Sequence, residues 1–129
     1  MGALMTDHEA LLRKLYDGFN ARDIPCVLSH LAQDVAWANG MDGGHVVGHE
    51  AIRAYWTAQW AAIVPNVEPL RFAERDDGST AVDVHQVVKN AAGEVLLDET
   101  VRHVFRIERK LVTRFDIENP GGLSRLRHP

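Results

Sequence analysis

Apolar residues recur along this chain at two spacings, and the change from one to the other divides it. In the first half the spacing is helical. Leu12, Leu15, Tyr16 and Phe19 share one face of a segment from about 7 to 21, opened by Thr6 and Glu9 in a capping box. Asp23 is placed to cap a second, shorter helix with the stripe Ile24, Val27, Leu28 and Leu31. Pro25 falls in its first turn, where a missing N–H is tolerated. Val35 to Asn39 reads as a short strand, and Asn39-Gly40-Met41-Asp42-Gly43-Gly44 as a loop with several residues free to take positive φ. After Gly48 a third helix carries Ile52, Tyr55, Trp56, Trp60 and Ile63 on one side until Pro65 stops it.

From Val67 onward the period is two. Segments near 67–75, 80–89, 94–107 and 111–118 are separated by Asp76-Asp77-Gly78, Asn90-Ala91-Ala92-Gly93 and Arg109-Lys110, the pattern of a four-strand antiparallel meander. The strand from Glu94 sets Val95, Leu97, Glu99, Val101, His103, Phe105 and Ile107 on one face, predicted to point inward. Three helices ahead of a long meander lack the crossovers of a doubly wound parallel sheet. The expected fold is therefore α+β, with one antiparallel sheet bent strongly over three N-terminal helices. A single domain over 1–129 is expected, with a loosely held tail from Gly121.

Composition narrows the class. The 129 residues, 46% hydrophobic and 25% charged, suit an ordinary globular core. No apolar run approaches the roughly 20 residues of a membrane span, and the first five residues do not read as a signal peptide, so a cytoplasmic protein with no membrane partner is expected. A net charge of −4 with scattered Lys and Arg argues against nucleic acid as a partner. The single cysteine, Cys26, excludes an internal disulfide and a Cys-rich metal site. His45 and His49, without a third ligand at convincing spacing, read as exposed rather than metal-binding, and neither metal nor cofactor is expected.

Four segments carry a resemblance to a known family. These are Phe19-Asn20-Ala21-Arg22-Asp23-Ile24 between the first two helices, Leu31-Ala32-Gln33-Asp34-Val35 entering the first strand, Gly48-His49-Glu50-Ala51-Ile52 opening the third helix, and Lys110-Leu111-Val112 starting the last strand. Over nearly the whole chain this order resembles the nuclear-transport-factor-two-like superfamily. That group includes ketosteroid isomerase, the SnoaL-type polyketide cyclases, scytalone dehydratase and limonene epoxide hydrolase. The resemblance implies a cystatin-like cone, a small-molecule pocket between helices and sheet, and a homodimer paired through the outer sheet face. It also exposes departures. Where ketosteroid isomerases carry a helix tyrosine, a carboxylate base and a protonated acid, this chain is aligned to have Leu15, Asn39 and His103. Of the epoxide hydrolase set it matches Asn39, Asp83 and Asp116, but has Trp37 in place of the tyrosine and Ala81 in place of the bridging arginine.

His103, among Val101, Phe105 and Ile107, is either a hydrogen-bonded core histidine or a working group in the cavity. The last strand sets Arg114, Asp116 and Glu118 against Leu111, Thr113, Phe115 and Ile117. The resemblance puts an acid/base at the Asp116 position, while a solvated strand face is the plain alternative. Asp116 with His103 is the candidate catalytic pair, since a carboxylate and an imidazole in a dry cavity divide the roles of acid and base. Tyr16, Trp37, Asn39, Tyr55, Trp56, Glu99, Arg114 and Glu118 are the candidate substrate contacts, the aromatic ones favouring a hydrophobic, planar ligand. Parity sends Asp83 and His85 outward unless a bulge intervenes. The expected function is binding of a small hydrophobic organic molecule, with cofactor-independent chemistry of isomerase, dehydratase or cyclase type. The alternative is a non-catalytic ligand-binding or dimerisation domain.

Overall fold

The structure, a computed structural model, describes residues 6–118 and residue 122. Helix α1 spans Asp7–Asn20, and the Thr6 side chain accepts the Glu9 N–H at its start. Helix α2, Ile24–Leu28, begins with Asp23 accepting from the Cys26 N–H. The two helices meet at Gly18, where an added Cβ would lie 3.0 Å from Val27 Cγ2. Strand β1 (Leu31–Ala38), strand β2 (His45–Val47) and helix α3 (His49–Ala62) follow. The remaining strands are β3 (Val64–Glu74), β4 (Thr80–Lys89), β5 (Val95–Glu108) and β6 (Leu111–Glu118).

The six strands form one sheet in the order β2-β1-β6-β5-β4-β3, bent against the helices. The meander β3 to β6 is antiparallel, as its period-two pattern predicts, and the α+β class stands. The all-antiparallel expectation is corrected at one place: β1 runs parallel to β6, with Trp37 beside Phe115. No helix alone makes this crossover; α3 and the whole meander lie between the two strands, so the rule that parallel pairing needs a long connection is satisfied. Strand β2 was absent from the expected elements because three residues behind a glycine loop show no readable period. Strand β3 holds Pro65 and Pro69, which an edge strand accommodates.

The family-like segments turn out to be clamps. Asn20 donates from Nδ2 to the Val67 carbonyl (2.8 Å) and accepts the Val67 N–H on Oδ1 (2.9 Å), fixing the end of α1 to β3. Arg22, at φ 61°, donates to the carbonyls of Phe19 and Pro65. His49 Nε2 lies 3.0 Å from the Leu31 carbonyl and ties the start of α3 to β1. These contacts set the helices over the inner sheet face, and the core of Leu12, Trp56, Val82, Val84 and Phe105 fills the space between. The expected loose tail from Gly121 lies outside the described residues, apart from Gly122, whose N–H is held by Glu99.

Candidate functional site

The core is not filled to its end. Between α1, α3 and the concave sheet lies a cavity of about 550 Å³ of atom-free space, part of it the open mouth. Aromatic rings make its walls. Trp37 on β1 stacks on Phe115 of β6 with centroids 4.1 Å apart, and Trp56 of α3 meets Trp37 edge-on at 5.3 Å. Alternation brings Phe105 and Phe115, register partners on β5 and β6, to the same inner face.

Within these walls Tyr16 Oη and His103 Nδ1 are 2.7 Å apart. Helical spacing puts Tyr16 one turn beyond Leu12 on the buried stripe of α1, and strand parity puts His103 between Val101 and Phe105. Burial lowers His103 from its ordinary 6.5 to about 3, and burial also raises the Tyr16 phenol well above its usual value. Both groups are therefore neutral at physiological pH. One bond uses one ring nitrogen, so the pair has two proton arrangements: Tyr16 donates and His103 carries its hydrogen on Nε2, or Nδ1–H donates and the phenol keeps a free hydrogen. His103 Nε2 has no protein partner among the described residues, yet the one sealed and unpartnered side-chain atom there is Trp60 Nε1. Nε2 thus meets the cavity.

A second polar pair lines the same space. Tyr55 Oη accepts from the Gly40 N–H (3.1 Å) and from Gln59 Nε2 (3.2 Å). Burial is the main cause that pushes its phenol up to about 12. Gln59 and Gln86 were missed by the sequence reading. Gln59 lies one turn after Tyr55 on α3, and Gln86 shares its strand face with Val82, Val84 and Val88, so parity held the signal. Gln86 Nε2 points to Glu99 at 3.4 Å.

Of the expected site residues, Tyr16, Trp37, Tyr55, Trp56 and His103 line the cavity. The others are elsewhere. Asp116 is not brought to His103: the register sets Ile117 opposite His103 and Asp116 opposite Val104, and that single step of parity sends the carboxylate to the outer face. There it meets His45 Nε2 at 2.8 Å and Arg114 Nε at 2.8 Å. Burial pushes the Asp116 carboxyl up, but hydrogen bonds from Arg114 and His45 and their charges outweigh it and hold the group below its ordinary value. Arg114 is on the same outer face, and so is Glu118, whose carboxylate is gripped by both Arg75 amino groups at 2.7 and 2.8 Å. Asn39 organises the loop after β1, its Oδ1 accepting from the N–H groups of Met41 and Asp42. Glu99 lies on the inner side of β5 but outside the lining, its oxygens committed to the Gly122 N–H at 2.9 and 3.1 Å. Asp83 and His85 face outward, Asp83 toward Arg102 and His85 toward Asp98; the register shift at Val88/Lys89, which skips Leu96 at the hairpin end, leaves them there. Among the described residues no three His, Cys, Asp or Glu side chains gather around a metal-sized space, and no helix is long and apolar enough to cross a membrane.

The model of the SnoaL-like domain family matches residues 12–115 of the sequence. The chain belongs to the SnoaL-like domain family. No curated protein sequence matches this SnoaL-like chain. Solved structures do match. A protein of unknown function from Burkholderia pseudomallei, described as NTF2-like, is 26% identical with a TM-score of 0.82, over 97% of this chain and 100% of that one. TerC, co-crystallised with polyporic acid, is 23% identical at TM-score 0.78 over 88% and 92% of the two chains. A Mycobacterium tuberculosis protein in complex with estradiol-17β-hemisuccinate is 16% identical at TM-score 0.74 over 87% and 92%. The last two likenesses are likenesses of fold.

Proposed function

We propose that this SnoaL-like domain binds a small, flat, largely hydrophobic organic molecule in the cavity, with one polar atom of the ligand meeting His103 beside Tyr16. The observation that supports this most is the His103–Tyr16 contact of 2.7 Å set inside aromatic walls. A buried imidazole carries a desolvation cost that a leucine would not, and here it is matched to a hydroxyl on one side only, with the other nitrogen turned to empty space. Trp37, Trp56 and Phe115 offer flat apolar surface next to it, the usual composition of a site for a drug-sized molecule. Two proteins of the same fold, TerC with polyporic acid and the M. tuberculosis protein with a steroid ester, hold ring systems, which agrees with this reading.

The test uses a neutral probe, N-phenyl-1-naphthylamine, whose emission rises in apolar surroundings. One saturable site is expected in the unaltered protein, and none in Ile117→Trp, which fills the cavity from β6. Binding that survives Ile117→Trp in a variant of unchanged melting temperature overturns the assignment, as does the absence of binding.

Cofactor-independent acid/base chemistry of isomerase, dehydratase or cyclase type is the second reading, favoured by the same pair. A histidine at about 3 is a poor proton acceptor at neutral pH, and the lining has no carboxylate among the described residues, so His103 and Tyr16 act on a carbonyl as uncharged hydrogen-bond partners. A His103→Ala variant that turns over a discovered substrate at the unaltered rate removes this reading and leaves binding in place. Pairing of two copies through the outer sheet face belongs to the same proposal. A monomeric mass at high protein concentration in sedimentation overturns it.

A further inference from the structure

We infer that the cavity selects an uncharged molecule bearing two oxygen atoms, one taken by the His103–Tyr16 pair and one by the Tyr55–Gln59 pair. This rests on the ligand-binding reading above and adds to it the ligand's charge and its number of polar ends.

The Tyr55 oxygen already accepts twice, from Gly40 and from Gln59, and a phenol has one proton to give. With the amide as placed, that proton and Gln59 Oε1 are left for a ligand. With the amide turned over, Gln59 Oε1 takes the proton and Nε2 is left instead. Either way the pair offers an atom beyond its own contact. Gln59 is 7% exposed, and its unpartnered oxygen is not among the sealed atoms, so it opens on the cavity that both residues line. His103 Nε2 opens on that cavity by the same reasoning. The two pairs come from different elements, α1 with β5 and α3 alone, and no hydrogen bond joins them among the described residues.

Each pair is a two-way partner. An imidazole or an amide beside a phenol donates or accepts according to what arrives, which suits a hydroxyl or a carbonyl equally. Neither pair carries charge. Among the described residues, contributions to the lining from α1, β1, α3, β3, β4, β5 and β6 include Tyr16, Tyr55 and His103 as the titratable groups and no Asp, Glu, Lys or Arg. Two carboxylates stand behind this layer: Glu99 beyond Gln86, and Asp42 in the loop next to Tyr55. An anion entering would lose its hydration and gain no counter-charge from the described lining.

The probes are four flat molecules that differ in this respect alone: naphthalene, 2-naphthol, the better of 2,6- and 2,7-dihydroxynaphthalene, and 6-hydroxy-2-naphthoate. Affinity is read at pH 7.5 by quenching of tryptophan emission in the full chain. Each oxygen is expected to tighten binding roughly fivefold, the usual size of one net hydrogen bond. The diol should lose that factor in His103→Phe and again in Gln59→Leu, while naphthalene loses nothing in either. The carboxylate should bind more weakly than the diol by about tenfold or more. A diol no tighter than 2-naphthol, or a carboxylate as tight as the diol, overturns the inference while naphthalene binding leaves the apolar site intact. If no probe binds, the ligand-binding reading falls and this inference falls with it.

Discussion

Two histidine clusters lie on opposite sides of this sheet. On the inner face His103 has a phenol for company, is 7% exposed and is held neutral by burial. On the outer face His45 has Asp116 and Arg114, with side chains 30%, 38% and 46% exposed. What separates them is small: β6 presents Ile117 opposite His103 and Asp116 opposite Val104, so neighbouring residues serve opposite faces. The inner cluster has lost its charge to the low-dielectric interior, and the outer one keeps its charges because water and counter-ions share the load. Residue types alone do not make an acid/base pair; the side of the sheet decides.

The largest expected effect comes from acid. His103 is depressed in the folded state, so its stabilising contribution is complete above the unfolded value of 6.5 and is lost as pH falls toward about 3. Between pH 6.5 and 4 the unaltered protein should lose about 3 kcal/mol more than His103→Gln, which keeps a neutral partner for Tyr16. Urea unfolding at several pH values measures this, and parallel curves for the two proteins would mean that His103 is solvated. A smaller effect sharpens the cause. Tyr16→Phe should cost about 1–2 kcal/mol by leaving Nδ1 without its partner, yet the histidine should remain depressed, because burial and not the phenol lowers it. Imidazole NMR shifts followed through the acid range check this. The smallest effect belongs outside. Asp116→Asn should cost under about 1 kcal/mol, less in high salt, and leave probe affinity in the cavity unchanged. The Asp116 carboxyl is held low, so its contribution is present above the unfolded value of 3.8 and disappears only as pH falls below it. A large loss of probe binding in Asp116→Asn would erase the distinction between the two faces.

Most of the fold was legible because period-two runs in β4, β5 and β6 are long, with Asn90 and Gly93 marking the turn from β4 to β5 and the charged pair Arg109-Lys110 breaking the pattern between β5 and β6. Inner and outer faces were legible too. Phe115 and Ile117 alternate with Arg114, Asp116 and Glu118, and that alternation alone sends Asp116 outward; the family position, which favoured it as a pocket acid, outweighed the chain's own parity. The aromatic residues of α3 pointed to the cavity because helical spacing groups them, whereas Gln59 and Gln86 went unread as polar residues inside apolar stripes. The Tyr16–His103 contact joins residues 87 positions apart, and no local pattern encodes such a meeting. Leu15, set by the resemblance at the place of the helix tyrosine, and its neighbour Tyr16 both reach the lining.

Strand β1 has a consequence for how the molecule comes into being. Its partner across the parallel ladder is β6, so Leu31 waits for Val112 and Trp37 for Phe115. A ribosome making this chain releases the first strand long before the last one exists, and the hairpins between them close first because their loops are short. The stacked ring pair on the cavity wall therefore waits for the last strand, and a chain that ends before residue 111 lacks the Phe115 and Ile117 side of the chamber.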